Sequence, residues 1–216
     1  MEFKSEKINL NIEKQNLWNN QLNEVEMITD GLGKRIDDNI KESVVAFSVF
    51  GFHTSGSCEG HLDRGLPYPW IDIDVFDQKD LLEFAKIQKA VEEKKYPNEQ
   101  SMNKDNPELH EKIIQIQGKF ANQRKEVKQK IDALFREFYL SHKPYLTGGG
   151  IVAESFGRGF RVQTSLNRGL GLANWNKFDE KINKMSLEEK KLFLENNQTE
   201  MRAFTEFLKN KFFREK

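Results

Sequence analysis

The first apolar positions of the chain recur at three- and four-residue steps, which is the spacing of one helix face. Residues 12–29 show this step, with Trp18 and Val25 on the apolar face, and the pattern predicts a helix there. A second helix is predicted over about residues 36–50. Its last part, residues 44–50, is an unbroken apolar run that also fits a buried strand, so periodicity leaves both interpretations open.

The period changes to two at residues 70–76. Ile71 and Ile73 fall on one side, and Asp72 and Asp74 fall on the other. This alternation predicts a strand that is buried on one face only.

Two further short segments of mixed apolar and polar residues flank the glycine-rich sequence Gly157-Arg158-Gly159. They cover residues 151–156 and 160–166. Because glycine permits the tight turns that join antiparallel strands, this pattern predicts a β-hairpin.

Long helical patterns lie between these strand regions. A charged helix is predicted over residues 79–95, followed by a polar linker at 96–106. Pro107 opens a second helix that extends to about residue 142, with a heptad-like apolar stripe over residues 109–138. We expect the two helices to form a projecting hairpin or a homodimer contact.

The sequence therefore predicts an α+β fold with a small antiparallel sheet packed on helices. It predicts a single domain over residues 1–216, in which residues 79–142 are an inserted helical hairpin. Ser186 and Glu189 have the spacing of a capping box, which predicts the start of a C-terminal helix.

The segment of residues 51–65 carries the reactive side chains and is expected to be a loop. We expect it to form one wall of a ligand pocket, with acid/base catalysis by His61 as one use. Its candidate catalytic residues are Cys58, Glu59, His61 and Asp63, with Glu59 and Asp63 predicted to be the partners of His61. Its candidate ligand contacts are Thr54, Ser57 and Arg64.

The opposite wall is expected from the predicted hairpin, residues 154–161. Arg158 and Arg161 suit an anion, because a guanidinium grips phosphate or carboxylate through two hydrogen bonds. Glu154, Asp72 and Asp74 are the further candidates on this side. Together the two walls predict a small anionic or nucleotide-like ligand, without specifying a cofactor.

Three other interpretations stay open. In the first, the segment of residues 51–65 is a structural turn, and Cys58 packs as a small hydrophobic residue. Alternatively, His53 and His61 bind a metal with nearby carboxylates, although their spacing matches no established metal motif. In the third, the protein is an interaction or scaffold module that acts through residues 79–142.

Composition narrows the classes of partner. The 216 residues contain 34 basic and 34 acidic side chains, so the net charge is zero and a broad nucleic-acid surface is not expected. A single cysteine excludes an internal disulfide. The N-terminal sequence lacks the apolar core of a signal peptide, and no apolar run is long enough to span a membrane, so we expect a cytoplasmic protein.

The turn Thr54-x-x-Ser57-Cys58-Glu59-Gly60-His61 resembles that of a group of uncharacterised bacterial, archaeal and phage proteins. The likeness extends over residues 33–75 and implies no activity. Ser57, Cys58 and Gly60 are also similar to the S-S-C-S-G-R turn of the wybutosine-forming tRNA methyltransferase family. That resemblance implies a shared turn and ligand pocket in an α+β fold that uses S-adenosylmethionine.

Overall fold

The structure is a computed structural model that describes residues 2–30, 32–96, 99–145, 149–164 and 182–214. The chain forms two compact units. The first consists of Met1–Asp74 and Ile131–Lys216, and the second is Val75–Lys130.

The first unit contains a four-stranded antiparallel sheet. Its strands stand in the spatial order β1-β2-β4-β3, so β1 is an edge strand. The strands are β1 (His53–Cys58), β2 (Trp70–Asp74), β3 (Ile151–Phe156) and β4 (Gly159–Thr164). Together with the helices, this sheet confirms the predicted α+β fold.

Helices cover one face of this sheet. Helix α1 is Glu2–Met27, and a 3₁₀ turn at Asp38–Ile40 leads into helix α2, Lys41–Val49. The C-terminal helix of the chain, α6, is Leu187–Arg214. Because α2 contacts β1 and α6 contacts β4, these two helices bury the apolar side of the sheet. The structure thus resolves residues 44–49 as helix rather than strand.

Aromatic side chains fill the space between helices and sheet. Phe204 of α6 is fully buried, with its ring centroid 5.9 Å from that of Phe47 and 5.2 Å from that of Phe138. On β2, Ile71 and Ile73 are buried as the alternation predicts. Burial of such side chains stabilises the fold by roughly 1.5–3 kcal/mol each.

Strand β1 corrects part of the predicted loop, because His53–Cys58 within residues 51–65 is a strand. It pairs with β2, and the register shifts between Thr54 and Gly56. A side chain at Gly56 would meet the ring of Trp70 at 3.3 Å, so glycine lets the two strands pair closely beneath that ring. Of the four glycines in residues 51–65, Gly56 therefore belongs to a bulged strand, whereas Gly51, Gly60 and Gly65 lie outside it.

The second unit is helical. Its helices are α3 (Gln78–Lys94), α4 (Glu99–Asp105) and α5 (Pro107–Tyr139), of which α5 continues into the first unit. Helix α4 replaces part of the predicted linker over residues 96–106. Its one apolar side chain, Met102, is buried, which gives the otherwise polar segment a reason to be helical. That residues 79–142 form one inserted helical hairpin stays a prediction.

Ring contacts and one buried polar group hold the second unit together. Phe120 of α5 packs against Phe76 and Phe84, with ring centroids 4.2 and 5.5 Å apart. Asp80 is buried and accepts hydrogen bonds from Lys119 Nζ at 2.5 Å and Gln123 Nε2 at 2.9 Å.

Among the described residues, no helix is both long and apolar enough to cross a membrane.

Candidate functional site

The turn that follows β1 is fixed by a glycine that no other residue can replace without a clash. Gly60 has φ +85°, and a Cβ there would lie 2.7 Å from both Cδ1 of Leu194 and the carbonyl carbon of Tyr68. The His61 N–H donates to the carbonyl of Leu66 at 2.9 Å and closes the following loop. Cys58 and His61 are therefore presented from one rigid turn.

Glu59 links this turn to two helical elements. Its Oε2 accepts a hydrogen bond from the Asn39 N–H at 3.1 Å, at the 3₁₀ turn. Its backbone carbonyl accepts from Nε2 of Gln198 on α6 at 3.0 Å. The carboxylate predicted to be the partner of His61 thus binds a backbone amide, and Asp63, the other predicted partner, is exposed.

Asp37, which the sequence did not single out, is the carboxylate beside His61. Its Oδ2 lies 3.1 Å from Nε2 of His61 and accepts from the Glu59 N–H at 3.3 Å. Asp37 precedes the 3₁₀ turn but makes no side-chain capping bond to it. The available signal in the sequence is an aspartate at the start of a predicted helix, which indicates a capping residue. That signal does not identify His61, 24 positions away, as the partner of the side chain.

Cys58 completes a cluster with Asp37 and His61. One side-chain ligand atom from each of these residues lies within 4.8 Å of the other two. Burial raises the pKa of the Cys58 thiol, and the nearby Asp37 and Glu59 carboxylates raise it further, against a lowering by the Gly60 N–H bond. The protonated thiol of Cys58 is therefore favoured. An activated cysteine nucleophile has a lowered pKa instead.

The cluster lies beside a cleft of ≈ 540 Å³. One wall comes from residues 28–30 and 34–37, and the other is β1 from Thr54 to Cys58. Five residues predicted for a site line this cleft, namely Thr54, Ser57, Cys58, His61 and Arg64. Residues of the predicted segment thus lie along one side of the cleft, and the other side is formed by the segment of Asp37 and not by the predicted hairpin, residues 154–161.

Cationic groups outnumber carboxylates along the cleft. Lys34 and Arg35 are exposed, and neither forms an ion pair within the described part of the chain. Nη2 of Arg64 lies 3.7 Å from Oδ1 of Asp37 and 3.4 Å from Nε2 of His61. The Arg64 side chain is 58% exposed. The two carboxylates of the lining are Asp30 and Asp37. Three cationic side chains against two carboxylates leave the lining with a net charge of +1, which favours an anionic ligand.

Arg161 is held on the sheet by a different set of contacts. Its guanidinium donates to both oxygens of Asp72, at 2.7 and 2.8 Å. It also lies between the rings of Trp70 and Phe156, 4.0 and 3.7 Å from their centroids. A guanidinium with these partners is already satisfied.

The other predicted residues on this side also have polar partners, Arg158 from the turn between β3 and β4 and Glu154 from β3. Arg158 donates to Asp74 at 2.9 Å, and Gln163 donates to Glu154 at 3.0 Å. None of these residues belongs to the cleft lining as far as the described residues show. His53 is exposed at the start of β1, opposite Asp74, so it lies at the other end of the strand from Cys58.

Comparison of the chain with protein-family models, curated proteins and solved structures finds no match. The two resemblances carried by the turn at Thr54–His61 therefore stay expectations. A functional proposal rests on the cleft and on the residues around it.

Proposed function

We propose that the protein binds a small anionic molecule in the cleft beside β1. The observation that carries the proposal is the pair Lys34 and Arg35, two exposed cations without an ion-pair partner among the described residues, which line the cleft with Arg64. Exposed lysines and arginines are common, but three of them around one concave surface favour a bound anion.

The size and the wall of the cleft support the same proposal. A volume of ≈ 540 Å³ falls within the range of about 300–1,000 Å³ for small-molecule pockets. Because β1 stands at an edge of the sheet, its side away from β2 presents peptide N–H groups that pair with no other strand among the described residues. These groups are further donors for phosphate or carboxylate oxygens.

A binding screen tests this function. Thermal shift and calorimetry would compare phosphate, pyrophosphate, citrate and adenosine monophosphate with uncharged adenosine. We expect anions to raise the melting temperature of the wild-type protein, and the double variant Lys34→Glu/Arg35→Glu to abolish that rise.

The matched control reverses two charges away from the cleft, at Lys184 and Lys191, which are also exposed. Lys184→Glu/Lys191→Glu should keep the wild-type response. The proposal is wrong if no anion binds, or if both double variants respond equally.

We also propose homodimer formation through residues 79–142, on a separate observation. Leu82 and Ile114 are 58% and 52% exposed, and they lie on α3 and α5. Light scattering should give a dimer that Leu82→Glu/Ile114→Glu converts to a monomer. The control Leu187→Glu/Leu192→Glu changes two equally exposed side chains of α6 and should leave the dimer intact. A wild-type monomer at all concentrations contradicts this proposal.

A further inference from the structure

Three side chains with different ligand atoms converge where β1 ends. Asp37 offers a carboxylate oxygen, Cys58 a sulfur and His61 an imidazole nitrogen, and these atoms lie within 4.8 Å of one another. We propose that Asp37, Cys58 and His61 bind one divalent transition-metal ion, with zinc as the expected metal. This site goes beyond the proposed function, because it requires no anion in the cleft.

The ligand set selects the class of metal. Zinc binds sulfur, imidazole nitrogen and carboxylate oxygen, whereas calcium and magnesium prefer oxygen ligands alone. Three protein ligands leave a fourth position of a tetrahedral ion open, as in catalytic rather than structural zinc sites. Since Cys58 and His61 line the cleft, that open position is accessible to a small molecule.

The present spacing is close to what an ion needs. Zinc–ligand distances of about 2.0–2.3 Å place the ligand atoms of a tetrahedral site roughly 3.3–3.8 Å apart. Atoms within 4.8 Å of one another therefore require inward shifts of about 1 Å or less. Rotation of the partly buried Asp37 and His61 side chains, which are 23% and 15% exposed, is enough for such a shift.

The two contacts of His61 Nε2 conflict with each other. This atom lies 3.1 Å from the Asp37 carboxylate, an acceptor, and 3.4 Å from the Arg64 guanidinium, a donor. One ring nitrogen either carries a proton or presents a lone pair, so it cannot satisfy both neighbours. A cation between Nε2 and the carboxylate resolves the conflict, because both atoms then act as ligands. The mostly exposed Arg64 guanidinium lies beside the same two side chains and therefore competes with a metal ion for them.

Metal titration of the purified full-length protein, first treated with chelator, tests the site. The probes are zinc chloride and cobalt chloride alone. We expect one metal ion per chain by elemental analysis, and a thiolate-to-cobalt charge-transfer band in the near ultraviolet. Cys58→Ser should abolish that band, and Asp37→Asn and His61→Gln should each weaken binding by at least about 100-fold.

The controls are His53→Gln, at the exposed histidine that starts the same strand, and Asp38→Asn, at the exposed neighbour of Asp37. Both should bind metal as the wild type does. Arg64→Ala should bind zinc more tightly than the wild type, a gain that general damage to the fold does not produce. These measurements use no phosphate or carboxylate, so failure of anion binding with metal binding intact refutes only the proposed function.

The proposal is overturned if folded wild-type protein takes up no stoichiometric metal or shows no charge-transfer band with cobalt. It is also overturned if a folded Cys58→Ser or His61→Gln variant keeps wild-type affinity. If a variant fails to fold, the wild-type cobalt spectrum decides.

Discussion

The imidazole of His61 contacts the carboxylate of Asp37, 3.1 Å away between Nε2 and Oδ2, across 24 positions of sequence. The same carboxylate oxygen accepts the Glu59 N–H at 3.3 Å. Asp37 therefore connects the segment before α2 with the turn after β1. Since both segments line the cleft, this contact determines the shape of the proposed binding surface.

Removing the Asp37 carboxylate should destabilise the fold as well as the site. Asp37→Ala leaves the Glu59 N–H and the His61 ring without this acceptor, and we expect a loss of about 1–3 kcal/mol in the free energy of unfolding. Urea denaturation measures it. Asp38→Ala, which removes an exposed carboxylate one residue later, should change stability much less than Asp37→Ala does. Equal effects of the two variants would contradict the role of Asp37.

Gly60 should tolerate substitution worse than other glycines with positive φ. Gly60→Ala adds a Cβ that meets Leu194 and Tyr68, besides the cost of the left-handed conformation. We expect about 2–4 kcal/mol of destabilisation in urea denaturation. Gly65 also has positive φ, +64°, but has no atom within 4 Å of the added Cβ. Gly65→Ala should therefore cost about 1 kcal/mol, and a similar cost at both positions would exclude the clash.

Local patterns predicted much of the fold. Pro107 begins α5, Gly157 lies in the turn of the β3–β4 hairpin, and Ile71 and Asp72 occupy opposite faces of β2 as their alternation indicates. Each of these features depends on residues close together in sequence. Glycine and proline also restrict backbone geometry directly, so their positions carry information without a tertiary context.

Features that depend on distant residues were not predictable. Strand β1 has no alternating pattern, and it is a strand because β2 offers it a partner. Asp37 gains its place from a contact with His61 that no local pattern encodes. Gln123 interrupts the apolar stripe of α5, and the structure gives the reason, since its amide donates to the buried Asp80 of α3. In each case the deciding interaction joins two elements.

The two ion pairs that the aspartates of β2 form should differ in coupling energy, because Arg161 lies on β4 and Arg158 lies in the turn before it. Arg161 and Asp72 are 13% and 17% exposed and bind through two hydrogen bonds, whereas Arg158 is 60% exposed. Double-mutant cycles to alanine, measured by urea denaturation, should give a coupling of about 1–3 kcal/mol for Arg161 with Asp72. The coupling of Arg158 with Asp74 should be below about 1 kcal/mol. The reverse order would show that burial and ring stacking do not strengthen the Arg161 pair.

Asp80 should make stability sensitive to acid. Hydrogen bonds from Lys119 and Gln123 hold the pKa of Asp80 below its usual value, although burial opposes this. A carboxyl with a lowered folded-state pKa stabilises the fold above its unfolded pKa of about 3.9, and that contribution is lost as the pH falls through the folded value. Asp80→Asn should therefore reduce the acid sensitivity of helical circular dichroism in urea. The control Asp105→Asn, at an exposed aspartate of α4 in the same unit, should retain the wild-type acid sensitivity.

Tyr139 should make stability sensitive to alkali. Its hydroxyl donates to Glu200, which is 1% exposed, and accepts the Ile151 N–H. Burial raises the pKa of Tyr139, and the hydrogen bond to Glu200 raises it further. The folded state then keeps a proton that the unfolded chain releases, so stability is full below pH about 10 and falls as the pH rises above it.

Tyr139→Phe tests that linkage. It should cost about 1–3 kcal/mol at neutral pH, because the buried Glu200 carboxylate and the Ile151 N–H each lose a partner. The variant should also lose stability less steeply between pH about 9 and 11 in urea denaturation. Tyr145→Phe removes a hydroxyl from a tyrosine that is 54% exposed and should match the wild type in both respects. If Tyr139→Phe keeps the wild-type slope above pH about 10, the hydroxyl of Tyr139 is not the group that loses its proton on unfolding.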